Sequence, residues 1–276
     1  MHVWMNGRLL AREDAHVPVT DRGLLLGDGL FETMAVRNGE VCDLHGHLER
    51  LNSGLEVLRF GEAVDTDELG PAIKQYIGSQ KASCGVLRLT VTRGTGPRGL
   101  TPPAEVSPTL LMTLSPMPPR REAISLRIAT VTRRNEHSPL SRIKALPYLD
   151  NVLALLQARA SGADEALLLN TRGAIACASA ANIFVIRDGC LETPPIEDGA
   201  LPGTTRARIL SWAGEAGLAP REVSLGPQAV ATADHVFLTN SVSLVQEARE
   251  CEGRSLNRRA ASAIDRLRSL LMSASQ

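Results

Sequence analysis

The chain has 276 residues, 43% of them hydrophobic, with 30 basic and 30 acidic side chains and no net formal charge. That length supports one large domain or two modest ones with a full core, and the balanced charge gives no electrostatic reason to expect nucleic acid or a membrane surface as partner. Aromatic residues at 3% argue against a base-stacking platform, and five scattered cysteines (Cys42, Cys84, Cys177, Cys190, Cys251) without a CxxC pair argue against a disulfide framework or a zinc cluster. With no hydrophobic leader and no apolar run of spanning length, a soluble cytoplasmic protein is expected.

In chain order, residues 2–5 and 8–11 alternate around Asn6-Gly7, which predicts a hairpin with a type I′ turn. Asp28, set between Gly27 and Gly29, reads as a turn residue. Phe31–Arg37 reads as a strand that turns at Asn38-Gly39 into Glu40–Asp43. Leu44, Leu48, Leu51, Leu55 and Leu58 recur at helical spacing and predict a helix over 44–60. His45 and His47 fall on different faces of that helix, so they do not pair as metal ligands. Arg50 on the same helix reads equally as a surface residue or a functional one.

Asp65-Thr-Asp-Glu places acidic residues at the start of a helix running to about Gln80. Gly85–Arg93 alternates as a strand and ends in Gly94-Thr-Gly-Pro-Arg-Gly, a loop that either sets guanidinium groups over an anion or simply closes a hairpin. Thr109–Leu114 is a further strand. Ser115-Pro-Met-Pro-Pro, with three prolines in five residues, is a stiff linker. It divides the chain into domains 1–115 and 123–276 joined by 116–122.

Beyond it, Ser125–Thr132 is predicted as a strand, Tyr148–Ser161 as a helix and Glu165–Leu169 as a strand. Asn182–Ile186 and Cys190–Glu192 form a hairpin around Asp188-Gly189. Leu201-Pro-Gly-Thr-Thr-Arg opens a helix, with Gly203 at the N-cap and Thr204 and Thr205 in the first turn. Backbone N–H groups, hydroxyls and the positive dipole end there suit a phosphate, although an ordinary helix start looks the same. Val236–Thr239 is a strand, Asn240-Ser-Val-Ser a polar turn and Leu256–Met272 a closing amphipathic helix.

Arginine far outnumbers lysine in this chain, so Lys144, at a strand-to-helix junction, invites a chemical reading. An amine in a partly desolvated pocket can lose its proton and condense with a carbonyl, which a guanidinium cannot do. A solvated loop lysine is the plain alternative.

The order of these features is more informative than any one of them: Asp21-Arg-Gly and Gly27-Asp-Gly-Leu-Phe-Glu, His47-Leu-Glu-Arg-Leu, Lys144 before a helix, Ala181-Asn-Ile-Phe, and Leu201-Pro-Gly-Thr-Thr-Arg. Over nearly the whole chain this resembles the class IV (fold type IV) pyridoxal-phosphate enzymes, which comprise branched-chain and D-amino-acid aminotransferases and, most similar here, aminodeoxychorismate lyases. The resemblance implies a two-domain α/β (α+β) architecture: an N-terminal α/β sandwich and a C-terminal pseudo-barrel-like domain that binds the cofactor and carries the lysine. It also implies a homodimer acting on a small amino substrate, with pyridoxal 5′-phosphate held between the domains. By the same resemblance Lys144 carries the cofactor and shuttles a proton, and Arg50, Thr204, Thr205, Asn240 and Ser241 hold its phosphate. Asn182 of the Asn-x-Phe motif and Tyr148 stand near its ring.

Three positions bear on the reaction. Where most of the family has a glutamate that keeps the ring nitrogen protonated, this chain has Cys177, a thiol that is neutral at its reference pKa. Thr33 stands where branched-chain aminotransferases usually have glycine and the lyases have threonine, and Arg98 matches a substrate-carboxylate clamp in the lyase loop. These features imply a 4-amino-4-deoxychorismate lyase of folate biosynthesis, giving 4-aminobenzoate and pyruvate. A class IV aminotransferase and a cofactor-binding member without turnover remain as alternatives.

Overall fold

The computed structural model describes residues 2–274. The chain forms two compact units: one runs to Pro118 and takes in Ile143–Pro147, and the other comprises Pro119–Arg142 and residues 148–274.

In the first unit, β1 (His2–Met5), β2 (Arg8–Ala11), β3 (Gly29–Arg37), β4 (Glu40–Val41), β5 (Cys84–Thr92) and β6 (Thr109–Ser115) build an antiparallel sheet in the order β2-β1-β6-β5-β3-β4. Its two tight hairpins turn at Asn6-Gly7 (φ 47° and 83°) and Asn38-Gly39 (φ 51° and 79°), the paired positive φ values of the type I′ turn that Asn-Gly predicts. A short helix α1 (Arg22–Leu26) is capped by Asp21, whose carboxylate accepts from the Gly23 N–H at 2.7 Å. That carboxylate is fully buried and also takes the hydroxyls of Thr92 (2.9 Å) and Thr109 (2.7 Å).

Helices α2 (Leu44–Val57) and α3 (Thr66–Gln80) contribute to the same core as one face of the sheet. Asp65 caps α3 by accepting from Asp67 N–H at 3.0 Å, as the acidic start predicts. Strand alternation decides which residues share the helices' core. Leu30, Met34 and Val36 of β3 and Leu87, Leu89 and Val91 of β5 join Leu51, Leu55, Ile73 and Tyr76 there. Each such side chain contributes roughly 1.5–3 kcal/mol by burial. Phe31, Thr33 and Arg88 occupy the opposite face, with Thr33 directly across from Arg88.

The lysine-bearing stretch departs from the sequence-based division, which placed it in the C-terminal domain. Ile143–Pro147 lies along the start of β3: Phe31 N–H donates to Lys144 O (3.0 Å) and Leu146 N–H to Gly29 O (3.0 Å), while Ile143 and Ala145 enter the first unit's core. Gly29 makes that approach possible. A Cβ there would lie 2.2 Å from the Val91 carbonyl oxygen and 2.9 Å from the Leu146 side chain.

In the second unit the strands are β7 (Ala123–Ile128), β8 (Glu165–Leu169), β9 (Ile175–Ala178), β10 (Asn182–Arg187), β11 (Cys190–Thr193), β12 (Ala219–Glu222), β13 (His235–Asn240), β14 (Leu244–Cys251) and β15 (Arg254–Ser255). They run β12-β11-β10-β13-β14-β7-β8-β9, with β15 pairing only with β14. The two edges approach each other, since Ile175 of β9 bridges Leu225 just past β12, with Ile175 N–H donating to Leu225 O at 2.7 Å. The sheet therefore curls into a barrel-like form, as the resemblance implies. Ile183 and Val185 fill one side of it with Leu167, Ile175, Val236 and Leu238, while Phe184 and Phe237 stack on the other with ring centroids 5.2 Å apart.

Four helices cover this sheet: α4 (Leu149–Ala160), α5 (Thr204–Trp212), α6 (Pro227–Thr232) and α7 (Ala261–Ser273). The closing helix starts later than the leucine pattern predicts. Leu256 N–H donates to Arg249 O and Arg259 N–H to Asp234 O, which holds residues 256–258 along the strands and leaves 259–260 as a turn before the helix. Likewise β7 ends at Ile128 rather than Thr132, because the Gln157 side chain accepts from Thr130 and Val131 N–H and draws the chain off the sheet. Glu247 fastens α7 by accepting from Arg268 (2.6 Å), and it also takes Arg258 (2.7 Å) and the His235 ring (2.9 Å).

The close contacts at Gly29 make it intolerant of a side chain. Gly29→Ala should lower stability by about 2–3 kcal/mol in urea unfolding. A loss below about 0.5 kcal/mol would show that β3 and residues 143–147 can separate without strain.

Candidate active site

In the first unit, Lys144 stands among charges. Its Nζ lies 4.4 Å from the centre of the Phe31 ring, and the Arg88 guanidinium lies 3.9 Å from the same ring. Burial, followed by the positive charge of Arg50, pushes the Lys144 amine down to about 8; Glu32 opposes this and Arg88 adds to it. An amine with that pKa is partly unprotonated near neutral pH and can act as a nucleophile or a proton carrier.

Glu32 is the centre of this cluster. It falls on the core face of β3 between Leu30 and Met34, where alternation calls for an apolar residue, and it is fully buried. Arg50 of α2 grips it with Nε on Oε1 at 2.8 Å and Nη2 on Oε2 at 2.5 Å, and His47 Nδ1 lies 2.7 Å from Oε2. Burial works to raise its pKa, but these bonds prevail and hold it at about 2. Since an ionised carboxylate only accepts, His47 carries its proton on Nδ1, and its buried Nε2 has no partner among the described residues.

In the second unit three turns meet at one end of the sheet. Asn182, opening β10, donates from Nδ2 to Leu201 O (2.9 Å), which fixes the stretch leading into α5. Gly203 packs so closely on it that a Cβ would sit 2.1 Å from Asn182 Oδ1. No side chain caps α5, so the N–H groups of its first turn, at Thr204 and Thr205, are presented together with the positive dipole end. Asn240, paired near Asn182 through β13, closes its own turn by accepting from Val242 N–H (3.0 Å) and Ser243 N–H (2.7 Å), and it donates to Ala180 O (3.2 Å). Ser241 lies in that turn.

Cys177, on β9, is buried among Ala129, Ala154, Ala158, Ala166 and Ala176. Burial pushes its thiol up; Arg134 opposes this and Glu165 adds to it, so the group stays protonated. Glu165, at the start of β8, bonds Ser179 through its hydroxyl and its N–H (3.2 Å), and burial raises its pKa. Ser179 O in turn accepts from Asn151 of α4 at 2.7 Å.

Of the sequence-predicted residues, the structure therefore brings Lys144 and Arg50 together in the first unit, with Thr33 on the neighbouring strand face. In the second it groups Asn182, Thr204, Thr205, Asn240 and Ser241. Tyr148 is the N-cap of α4 without a side-chain capping bond. Arg98 lies on the exposed loop after β5, while Arg88 is the arginine beside Lys144. Sequence reasoning gave no role to Glu32, Arg88 or Glu165, and it weighed His47 only as a metal ligand. The first had a visible signal, a charge at a core position of an alternating strand. Asp28 is more than a turn residue: its carboxylate joins Arg22 (2.8 Å) and Arg93 (2.9 Å).

The family model for class IV aminotransferases matches residues 29–251. The chain belongs to that family. Its enzymes use pyridoxal 5′-phosphate and act on small-molecule amino substrates. A putative branched-chain-amino-acid aminotransferase of Methanocaldococcus jannaschii is 34% identical, covering 93% of this chain and 90% of its own. The 4-amino-4-deoxychorismate lyase of Pseudomonas aeruginosa superposes with a TM-score of 0.86 at 33% identity, covering 97% of this chain and 98% of its own. The branched-chain amino acid aminotransferase of Escherichia coli superposes with a TM-score of 0.92 at 25% identity, covering 100% and 96%. No helix among the described residues is long and apolar enough to cross a membrane.

The side chains fit most of this cofactor. An amine at about 8 suits its aldehyde, and an uncapped helix start suits its phosphate. Cys177 does not supply an anion to a ring nitrogen.

The Glu32 cluster also sets an acid limit. Its folded pKa of about 2 lies below the 4.5 of the free side chain, so its stabilisation is complete above pH 4.5 and is lost as the pH falls toward 2. A gap of about two pH units is on the order of 3 kcal/mol. Urea unfolding at pH 6 and pH 3 should therefore show a larger loss in the natural protein than in Glu32→Gln, and equal losses would contradict the assignment.

Proposed function

We propose that this protein is a pyridoxal-phosphate-dependent 4-amino-4-deoxychorismate lyase, forming 4-aminobenzoate and pyruvate. What supports the reading is the protonated, buried Cys177, which, in the place the resemblance gives it, would supply no negative charge to the cofactor ring. Pyridoxal phosphate, when bound, withdraws electrons from the carbon next to the substrate nitrogen, and a neutral partner at the ring makes it a weaker sink. Amino transfer relies on that sink throughout. In the lyase reaction a proton leaves the ring carbon bearing nitrogen, the C–O bond to the enolpyruvyl group breaks, and the departing enolate takes up a proton as pyruvate. The product ring becomes aromatic, a driving force that does not depend on the cofactor nitrogen.

In this reading Lys144 carries the cofactor and moves the proton, its amine tuned by burial and by Arg50, Arg88 and Glu32. Arg50 and the α5 turn at Thr204 and Thr205 hold the phosphate. Asn240 and Ser241 contribute through their turn, since the Asn240 amide is spent closing it. Asn182 sets the position of the α5 turn, Tyr148 stands by the ring, and Thr33 lends a hydroxyl to proton transfer. Arg88, on the Thr33 face, joins Arg98 as a cationic group for the substrate's carboxylates.

A second reading, an aminotransferase, is favoured by the 34% identity to the archaeal putative branched-chain enzyme. One sample decides between them. Incubated with aminodeoxychorismate, it should release pyruvate, and a panel of amino donors should leave the cofactor as pyridoxal phosphate. Ready conversion to pyridoxamine phosphate without pyruvate release would overturn the lyase reading. Borohydride reduction and peptide mapping should find the cofactor on Lys144, and an unlabelled Lys144 would instead indicate a binding protein without turnover. Cys177→Glu, checked for folding by circular dichroism, should gain amino-transfer activity by roughly tenfold. An unchanged rate would mean that residue 177 has little influence on the reaction.

A further inference from the structure

The sheet of the first unit spends a core position on a charge. On β3 the side chains of Leu30, Met34 and Val36 share an apolar core, and Glu32 on the same face is no less buried than they are. A buried carboxylate is costly unless it is paired and hydrogen-bonded. Here both oxygens are engaged by a fork from Arg50 and a ring nitrogen of His47, all from one face of α2. A residue serving stability alone could be apolar at this position. What the carboxylate adds is direction, because a two-pronged grip fixes the plane of the Arg50 guanidinium, and charge, because Lys144 is tied to β3 beside it, its carbonyl accepting from the N–H of the adjoining Phe31 at 3.0 Å.

We propose that Glu32 is a positioning residue that fixes the Arg50 guanidinium and supplies the compensating negative charge at Lys144, with His47 as its second support. The inference rests on the reading of Lys144 and Arg50 given above as the carrier and the phosphate ligand. The charged groups that act on Lys144 in this unit include Glu32 from β3, Arg50 from α2 and Arg88 from β5, and His47 of α2 faces Glu32 and Arg50. Two of them are arginines that oppose protonation of the amine, and Glu32 is the counterweight.

The test reads Lys144 directly, without substrate or turnover. The full-length protein, freed of cofactor, is acetylated briefly across a pH series, and modification of Lys144 is followed by peptide mass spectrometry. The natural protein should show a midpoint near 8. In Glu32→Gln, which keeps the shape and loses the charge, the midpoint should fall by about one pH unit. Affinity for added pyridoxal phosphate should also weaken roughly tenfold as the Arg50 grip loosens. Glu32→Asp, with the charge restored on a shorter arm, should recover the midpoint but not the full affinity. A merely structural role would lower affinity through unfolding and leave the midpoint of the folded fraction in place, and that result would overturn the proposal. Should Glu32→Gln fail to fold, Arg50→Gln and the double variant Glu32→Gln/Arg50→Gln isolate the same charge. The double variant's midpoint must then lie below that of Arg50→Gln, and equal midpoints would overturn the proposal. If Lys144 takes no cofactor at all, the functional reading fails while the acetylation midpoints still report on Glu32.

Discussion

The grip of Arg50 and His47 on the buried Glu32 carboxylate organises the first unit's chemistry. Leaving that carboxylate unpaired would cost several kcal/mol, because a lone ion in an apolar core has lost its water and gained nothing in return. Both of its partners stand on α2, three residues apart and thus on one helix face. The docking of α2 on the sheet is therefore specified by polar geometry as well as by Leu51 and Leu55. Sliding the helix by one turn would keep much of the apolar contact but would break the fork. The same constraint sets the charges near Lys144, so packing and reactivity share one set of bonds.

The second unit solves a different problem, how to present several backbone N–H groups at one place. Asn182 and Asn240 both spend their side chains on backbone partners, the first on the approach to α5 and the second on its own turn. Neither offers a charge. They shape two turns so that the uncapped first turn of α5 keeps its donors available, with Gly203 removing the one Cβ that would collide with Asn182. An anion held in this way is bound by dipoles and N–H groups in fixed positions, a means of binding that needs no ordering of long side chains.

Local signals in the sequence carried well. The Asn-Gly and Asp-Gly turns, the leucine-spaced helix α2 and the acid-started α3 depend on neighbours a few residues away, and all appear in the structure. What stayed hidden depends on residues distant in the chain. That Lys144 runs along β3 follows from backbone bonds to Gly29 and Phe31, which no periodicity around Lys144 reveals. Arg88 comes over the Phe31 ring beside Lys144 only once the register sets it opposite Thr33, whereas Arg98, in a conspicuous glycine-rich loop, drew attention first. Strand β14 was masked because Glu247 and Arg249 interrupt its apolar run, and the reason for Glu247 lies on α7 and beyond, at Arg268 and Arg258.

The surroundings of Lys144 and Cys177 show how far one fold can separate two electrostatic environments. Around Lys144 three charged side chains act on one amine, and the net effect is an amine able to exchange a proton near neutral pH. Around Cys177 the apolar packing includes Leu168 and alanines from α4 and the flanking strands, and burial among them pushes the thiol up. An apolar lining of this kind opposes the ionisation of whatever it touches; Glu165, whose charge reaches Cys177, works in the same direction, and Arg134 works against it.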